Sequence, residues 1–243
     1  METNPHDQDA PSVLGSYAHG WDILKAHFGR LLLALFLFLI LQLPGSMDVG
    51  DGGLLSSLYQ LLVVGPLSFG ISYTFLVAVR GRAPEVSDLF APFQRAYVSA
   101  IAVSLLLPIV IVVSALPLIG AIMLASLGDG VGVLLAGASL LIVLPIYATV
   151  RLSFIPYLLV DEGLGPIEVL GESWARTRPV QLQILGIEAL SAVVLLAGLL
   201  LLVIGVFPAM ILAGLALATL YDDVSPLGPE EEDEPAFSQP TEP

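Results

Sequence analysis

Long apolar runs separated by short polar segments dominate this chain. Residues 131–150 contain no charged side chain. A helix of that length rises roughly 30 Å, which is the thickness of the hydrocarbon core of a bilayer. Comparable runs cover residues 28–43, 54–79, 97–124, 180–204 and 207–221. Because the runs are continuous and not alternating, they predict an all-α, polytopic transmembrane helix bundle of about six spans, and not a β-barrel.

An amphipathic helix is predicted before the first run. Apolar side chains recur there at spacings of three or four residues, at Val13, Tyr17, Trp21, Leu24 and Phe28. This spacing places them on one face of a helix. Tyrosine and tryptophan favour the boundary between membrane and water, so we expect Tyr17 and Trp21 to anchor this helix in the membrane surface.

A second amphipathic helix is predicted between the fourth and fifth runs, within residues 165–178. Ile167, Leu170 and Trp174 share one helical face there. Charged residues line another face: Glu168, Glu172 and Arg176. Such a helix is typical of a segment that lies along the membrane surface, so we expect cytoplasmic interfacial helices beside the spans.

The basic residues indicate the orientation of the spans. The chain has eight of them: Lys25, Arg30, Arg80, Arg82, Arg95, Arg151, Arg176 and Arg178. If six spans alternate, all eight lie on one side of the membrane, whereas a missed span would scatter them over both sides. The positive-inside rule then places that side, and both termini, in the cytoplasm.

The two ends of the chain differ from its middle. Residues 1–11 are polar, and residues 230–234 are all acidic and flanked by prolines. Segments with so little apolar content do not bury enough surface to fold. We therefore predict a disordered N-terminus at 1–11, a transmembrane domain at 12–223 and a disordered acidic cytoplasmic tail at 224–243.

The composition supports a membrane protein and excludes several kinds of chemistry. The chain is 56% hydrophobic and 12% charged, with a mean hydropathy of +0.91. A large part of its net charge of −14 lies in the tail, so this charge does not indicate a nucleic-acid partner. The chain has no cysteine, and its histidines, His6, His19 and His27, lack the spacing of metal ligands. We expect no metal site, no cofactor and no enzymatic activity.

Three sequence motifs suggest a family. Residues 151–157 read Arg-Leu-Ser-Phe-Ile-Pro-Tyr, residues 171–178 read Gly-Glu-Ser-Trp-Ala-Arg-Thr-Arg, and Tyr221-Asp222-Asp223 follows a hairpin of two spans. In this order the chain resembles uncharacterised bacterial six-helix integral membrane proteins related to the membrane domain of some glycerophosphodiester phosphodiesterases. The resemblance implies a location in the plasma membrane and a six-helix layout, and it supplies no catalytic residues.

Two ionisable residues within or beside the spans are candidates for function. Glu188 lies about 13 Å beyond Pro179 by helical rise. An acid at that depth is a candidate for proton or ion coupling, and the alternative is a structural carboxyl that is protonated or paired with Arg151. Arg151 itself is a candidate anchor for a lipid phosphate, or it extends to the headgroups as arginines at span ends do.

Trp174, Arg176 and Arg178 are candidates for contact with anionic lipid headgroups. Glu172 and Arg176 also have the spacing of an i,i+4 ion pair. The resulting hypothesis is a non-enzymatic protein that interacts with membrane lipids or holds a protein partner, including a second copy of itself. The alternative hypothesis is a small transporter or channel that uses Glu188 and spans kinked at proline.

Overall fold

The computed structural model describes residues 12–46, 53–126, 144–200 and 205–225, which form helices and turns and contain no strand. The helices are α1 (Val13–Ser46), α2 (Leu54–Tyr59), α3 (Gly65–Val79), α4 (Ala91–Arg95), α5 (Tyr97–Ser126), α6 (residues 144–152), α7 (Ile155–Asp161), α8 (Glu168–Leu200) and α9 (Val206–Val224). A π-helical turn, Gln60–Val64, joins α2 to α3, and a 3₁₀ turn, Val86–Phe90, precedes α4. The predicted disordered N-terminus, nearly all of the acidic tail and residues 131–143 of the predicted fourth span lie outside the described residues.

Within the described residues, six helical segments are long and apolar enough to cross a membrane. They are Val13–Gly45, Leu54–Val79, Tyr97–Leu116, Leu144–Asp161, Glu168–Leu200 and Val206–Val224. The predicted all-α, multi-pass bundle is therefore confirmed. The second segment has the predicted limits, whereas the first, fourth and fifth differ from the prediction in ways that change the position of candidate residues.

Helix α9 lies at the centre of the bundle and packs against α1, α3 and α8. Small residues make this close packing possible. The Cα of Gly214 lies against the ring of Phe75 on α3, where a Cβ would overlap the ring, and Gly198 brings α8 against the backbone of Gly205. Helix α5 is peripheral and exposes apolar side chains such as Val98, as expected of a helix that faces lipid.

The predicted surface helix at the N-terminus and the first span meet at a kink within α1. α1 departs from helical geometry only at His27, where φ is −120° and ψ is 19°. Tyr17 is buried, and its hydroxyl donates to the Ile187 carbonyl at 3.2 Å and lies 2.6 Å from Ser191 Oγ. The prediction that Tyr17 anchors in the membrane surface is therefore wrong, because the phenol finds its hydrogen-bond partners on α8. Trp21 remains half exposed.

The fourth span does not end at Arg151 as predicted. After a turn at Ser153 and Phe154 the chain continues into α7, which accommodates Pro156 in its first turn, where no helical N–H is needed. Most of α7 is buried, including Leu158 and Leu159. Arg151 consequently lies inside the protein, about ten residues before the acidic end of α7.

The predicted second surface helix and the fifth span also meet at a kink, within α8. Its only residue with non-helical geometry is Val180, directly after Pro179, where the proline interrupts the hydrogen-bond ladder. The face that packs inward is formed by Val169, Ser173 and Thr177. Trp174 is on the outer side and is 44% exposed, whereas Leu170 packs against the core, so the predicted apolar face is divided between the surface and the core.

Candidate functional site: a cationic pocket beside a charged network

An ion-pair network joins the ends of α3, α7 and α9. The guanidinium of Arg80, just after α3, donates to both oxygens of Asp161 at 2.6 and 2.8 Å. Its Nε donates to Asp222 on α9 at 2.8 Å. Burial alone would lower the pKa of Arg80, but the hydrogen bonds and charges of Asp161 and Asp222 raise that pKa above its ordinary value. Arg80 is therefore a permanent cation that holds three helix ends together.

The same network extends to α8 through Arg176. Its guanidinium donates to both oxygens of Glu162 at 2.5 and 2.9 Å and to Glu172 at 2.7 Å. The hydroxyl of Tyr221 lies 3.3 Å from Asp161 and 3.3 Å from Glu162, and so connects the two arginine groups. We call the face of the bundle that carries Arg80, Asp161 and Arg176 the charged face.

The sequence placed Arg176 among the residues that contact lipid headgroups, and the structure corrects this assignment. All three guanidinium nitrogens of Arg176 are bound to carboxylates of Glu162 and Glu172. The predicted i,i+4 pair with Glu172 is confirmed. Arg176 is thus a structural element of the charged network, and it has no nitrogen left without a carboxylate partner.

Arg151 has a different environment from Arg80 and Arg176. It is only 4% exposed, and within the described residues no carboxylate forms an ion pair with it. Its guanidinium carbon lies 5.2 Å from the ring centroid of Tyr147 and 4.8 Å from that of Trp174, which are favourable distances for cation–π contact. The residue is therefore a buried cation stabilised by two aromatic rings.

The hydrogen bonds of Arg151 leave one nitrogen uncommitted. Nε donates to the Tyr147 hydroxyl at 3.0 Å, and Nη1 donates to the Trp174 carbonyl at 3.1 Å. Nη2 donates to no described residue. The backbone is fixed as well, because the Ser173 hydroxyl donates to the Arg151 carbonyl at 2.8 Å. Arg151 is thus held in a defined orientation by α8.

A cavity of about 560 Å³ adjoins this arginine. Its lining includes Arg151, Tyr147, Trp174, Arg178 and Gln181; we call it the cationic pocket. Two guanidinium groups and one amide converge there, and none of the residues that line it is acidic. Hydrogen-bond donors and positive charge in a concave site suit an anion such as a phosphate. The structure thus brings together Arg151, Trp174 and Arg178 of the predicted site residues.

Glu188 lies apart from the cationic pocket. Its side chain is exposed on the outer surface of α8 and forms neither an ion pair nor a hydrogen bond with another described residue. The pairing of Glu188 with Arg151, one of the alternatives from the sequence, does not form. Glu188 also does not line the cationic pocket.

Sequence reasoning missed Tyr147 and Gln181. Tyr147 precedes Arg151 by one helical turn, so its contact with the arginine could have been inferred from an i,i+4 spacing. Gln181 follows the kink at Pro179 and Val180, and no local pattern identifies it. The partners of Arg80 were missed because Asp161 and Asp222 are distant in sequence.

Comparisons with known proteins give no relative for this chain. No family model, no curated protein and no solved structure matches it.

Proposed function

We propose that this protein is a non-enzymatic, multi-pass protein of the plasma membrane that binds the phosphate of an anionic lipid headgroup in its cationic pocket. The observation that carries the proposal is Arg151, a buried cation that faces a cavity and has no carboxylate partner among the described residues. A buried charge without a counter-ion is costly. An anion in the pocket supplies the missing charge.

The neighbours of Arg151 support a lipid as the source of the anion. Arg178 and Gln181 are exposed at the mouth of the pocket, and Trp174 is half exposed beside them. Tryptophan and arginine are typical of the layer of lipid headgroups. A phosphate in that layer can reach Nη2 of Arg151 and the guanidinium of Arg178 while its acyl chains remain in the bilayer.

The orientation is part of the same proposal. The basic residues that follow α3 and precede the second half of α8 lie on the charged face, and the positive-inside rule assigns such a face to the cytoplasm. We place both termini there, so the cationic pocket takes its lipid from the cytoplasmic leaflet. The resemblance to six-helix bacterial membrane proteins supports the plasma membrane as the location.

The alternative, a transporter or channel coupled through Glu188, has less support in the geometry. A coupling residue has to face a cavity or a polar path. Glu188 is on the outer surface of α8 and does not line the cationic pocket.

Native mass spectrometry of the full-length protein in nanodiscs tests the proposal. The nanodiscs contain phosphatidylcholine with or without phosphatidic acid, and the retained lipids are identified. We expect selective retention of phosphatidic acid, reduced about tenfold by Arg178→Gln, since a hydrogen bond to a charged group is lost. Arg82→Gln is the matched control, because Arg82 is also exposed but lies outside the pocket. Equal retention in both variants, or no selectivity in the native chain, contradicts the proposal.

A further inference from the structure

A second cavity, of about 490 Å³, lies between the end of α1, the π-helical turn and α5. Its polar lining residues are Ser56, Ser57, Gln60, Ser68 and Ser104; we call it the polar cavity. Its volume is within the usual range of small-molecule sites. Helical rise over the segment from Gln60 to Arg80 is roughly 30 Å, so Gln60 lies far from the charged face.

The backbone around the polar cavity is irregular at one point. The π-helical turn Gln60–Val64 interrupts the helix, and the Tyr97 hydroxyl from α5 donates to the carbonyl of Leu62 in this turn at 3.1 Å. π-Helical turns occur frequently at functional sites. Tyr59 fixes the other side, because its hydroxyl donates to the Leu41 carbonyl on α1 at 2.7 Å.

Two glycines set the position of polar groups in the polar cavity. A Cβ at Gly65 would overlap the hydroxyl of Ser104, and a Cβ at Gly45 would overlap the amide of Gln60. Both polar groups therefore reach the cavity wall only because no side chain is present at these positions. The positions of these two polar groups therefore depend on a glycine in α1 and a glycine in α3.

The hydrogen-bonding groups of the polar cavity are both donors and acceptors. Ser56 and Ser68 donate to carbonyls of their own helix, at 2.9 and 2.6 Å, so their oxygens remain as acceptors. The hydroxyl of Ser104 is buried and has no hydrogen-bond partner in the part of the chain that the structure describes. The amide of Gln60 forms no hydrogen bond with any described residue. Buried polar groups are almost always paired in native proteins, so the buried hydroxyl of Ser104 requires a partner, whereas Gln60 is exposed and its amide is accessible to a ligand.

We propose that the polar cavity binds an uncharged, hydroxyl-rich molecule, that is, a polyol. None of the lining residues is ionisable, so a charged ligand would be buried without a counter-ion. A polyol can donate to Ser56 and Ser68, accept from the Gln60 amide and exchange a hydrogen bond with Ser104. The polyol is either free in solution or the headgroup of a neutral glycolipid.

The test uses the full-length protein in phosphatidylcholine nanodiscs and has two arms. In the lipid arm, diglucosyl diacylglycerol is included and its retention is measured by native mass spectrometry. In the free arm, glycerol and glucose are titrated and the midpoint of thermal unfolding is measured. Retention in the first arm supports a glycolipid headgroup, and a saturable rise of the midpoint in the second supports a free polyol.

Two variants locate the binding. Ser104→Ala and Gln60→Met each remove one hydrogen-bonding group, and we expect each to weaken binding about fivefold. Ser114→Ala is the matched control, since Ser114 is also on α5 but is exposed and donates to the Ile111 carbonyl of its own helix at 2.7 Å. If Ser104→Ala does not fold, the effect of Gln60→Met on binding decides the test. Absence of binding in both arms, or equal binding by the variants and the control, overturns the inference.

Discussion

The guanidinium of Arg80 forms two parallel hydrogen bonds with Asp161, at 2.6 and 2.8 Å, across 81 positions of sequence. Asp161 ends α7 and Arg80 directly follows α3, so this pair joins the ends of two membrane-crossing segments. Bidentate pairs between arginine and carboxylate combine strength with a fixed geometry. The pair therefore fixes the relative height of α3 and α7 in the bundle.

Loss of Arg80 should destabilise the bundle. We expect Arg80→Gln to lower the free energy of unfolding by about 3 kcal/mol, because Asp161 would remain largely buried without its cation. Thermal unfolding in detergent measures the effect, and Arg82→Gln serves as the control for an exposed arginine. An equal loss of stability in both variants would contradict the role of the ion pair.

The hydroxyl of Tyr221 connects the two arginine groups of the charged network. Tyr221→Phe keeps the ring, which stacks on Tyr157 at 4.9 Å, and removes the hydroxyl shared by Asp161 and Glu162. We expect a loss of about 1 kcal/mol. Tyr157→Phe is the matched control, since the Tyr157 hydroxyl is 3.5 Å from its nearest acceptor, the Gly214 carbonyl. A larger loss in that control than in Tyr221→Phe would argue against the bridging role.

Apolar runs were sufficient to predict the bundle, because a segment without charge that is long enough to cross the bilayer has few other stable conformations in lipid. That the fourth span continues past Arg151 could not be predicted, because the arginine is stabilised by Trp174 on a different helix. The ion pair between Arg176 and Glu162 likewise depends on how α7 and α8 pack against each other. Hydropathy identifies which segments cross the membrane, but it carries no information on which helix ends become neighbours.

Close contact between α3 and the 3₁₀ turn gives a third prediction. A Cβ at Gly70 would overlap the carbonyl oxygen of Leu89. Gly70→Ala should therefore force the 3₁₀ turn away from α3 and destabilise the protein by about 2 kcal/mol. Gly29→Ala is the control, since a Cβ at Gly29 meets no atom within 4 Å. Both variants are compared by thermal unfolding, and an unchanged midpoint for Gly70→Ala would contradict the contact.

The fluorescence of Trp174 should report occupation of the cationic pocket. The chain has two tryptophans, so Trp21→Phe leaves Trp174 as the single emitter. We expect brominated phosphatidic acid to quench this emission more strongly than brominated phosphatidylcholine, and Arg178→Gln to reduce the difference. Equal quenching by the two lipids would show that the pocket does not select an anionic headgroup.

Labelling of single cysteines in intact cells tests the central claim, that the chain crosses the membrane between Leu54 and Arg80 and that the charged face is cytoplasmic. The chain has no cysteine of its own, so Ser87→Cys, in the segment after α3, and Leu54→Cys, at the start of α2, each provide one reporter. The account predicts that a membrane-impermeant maleimide labels Leu54→Cys from outside and labels Ser87→Cys only after the membrane is opened. Labelling of both variants from the same side would contradict it.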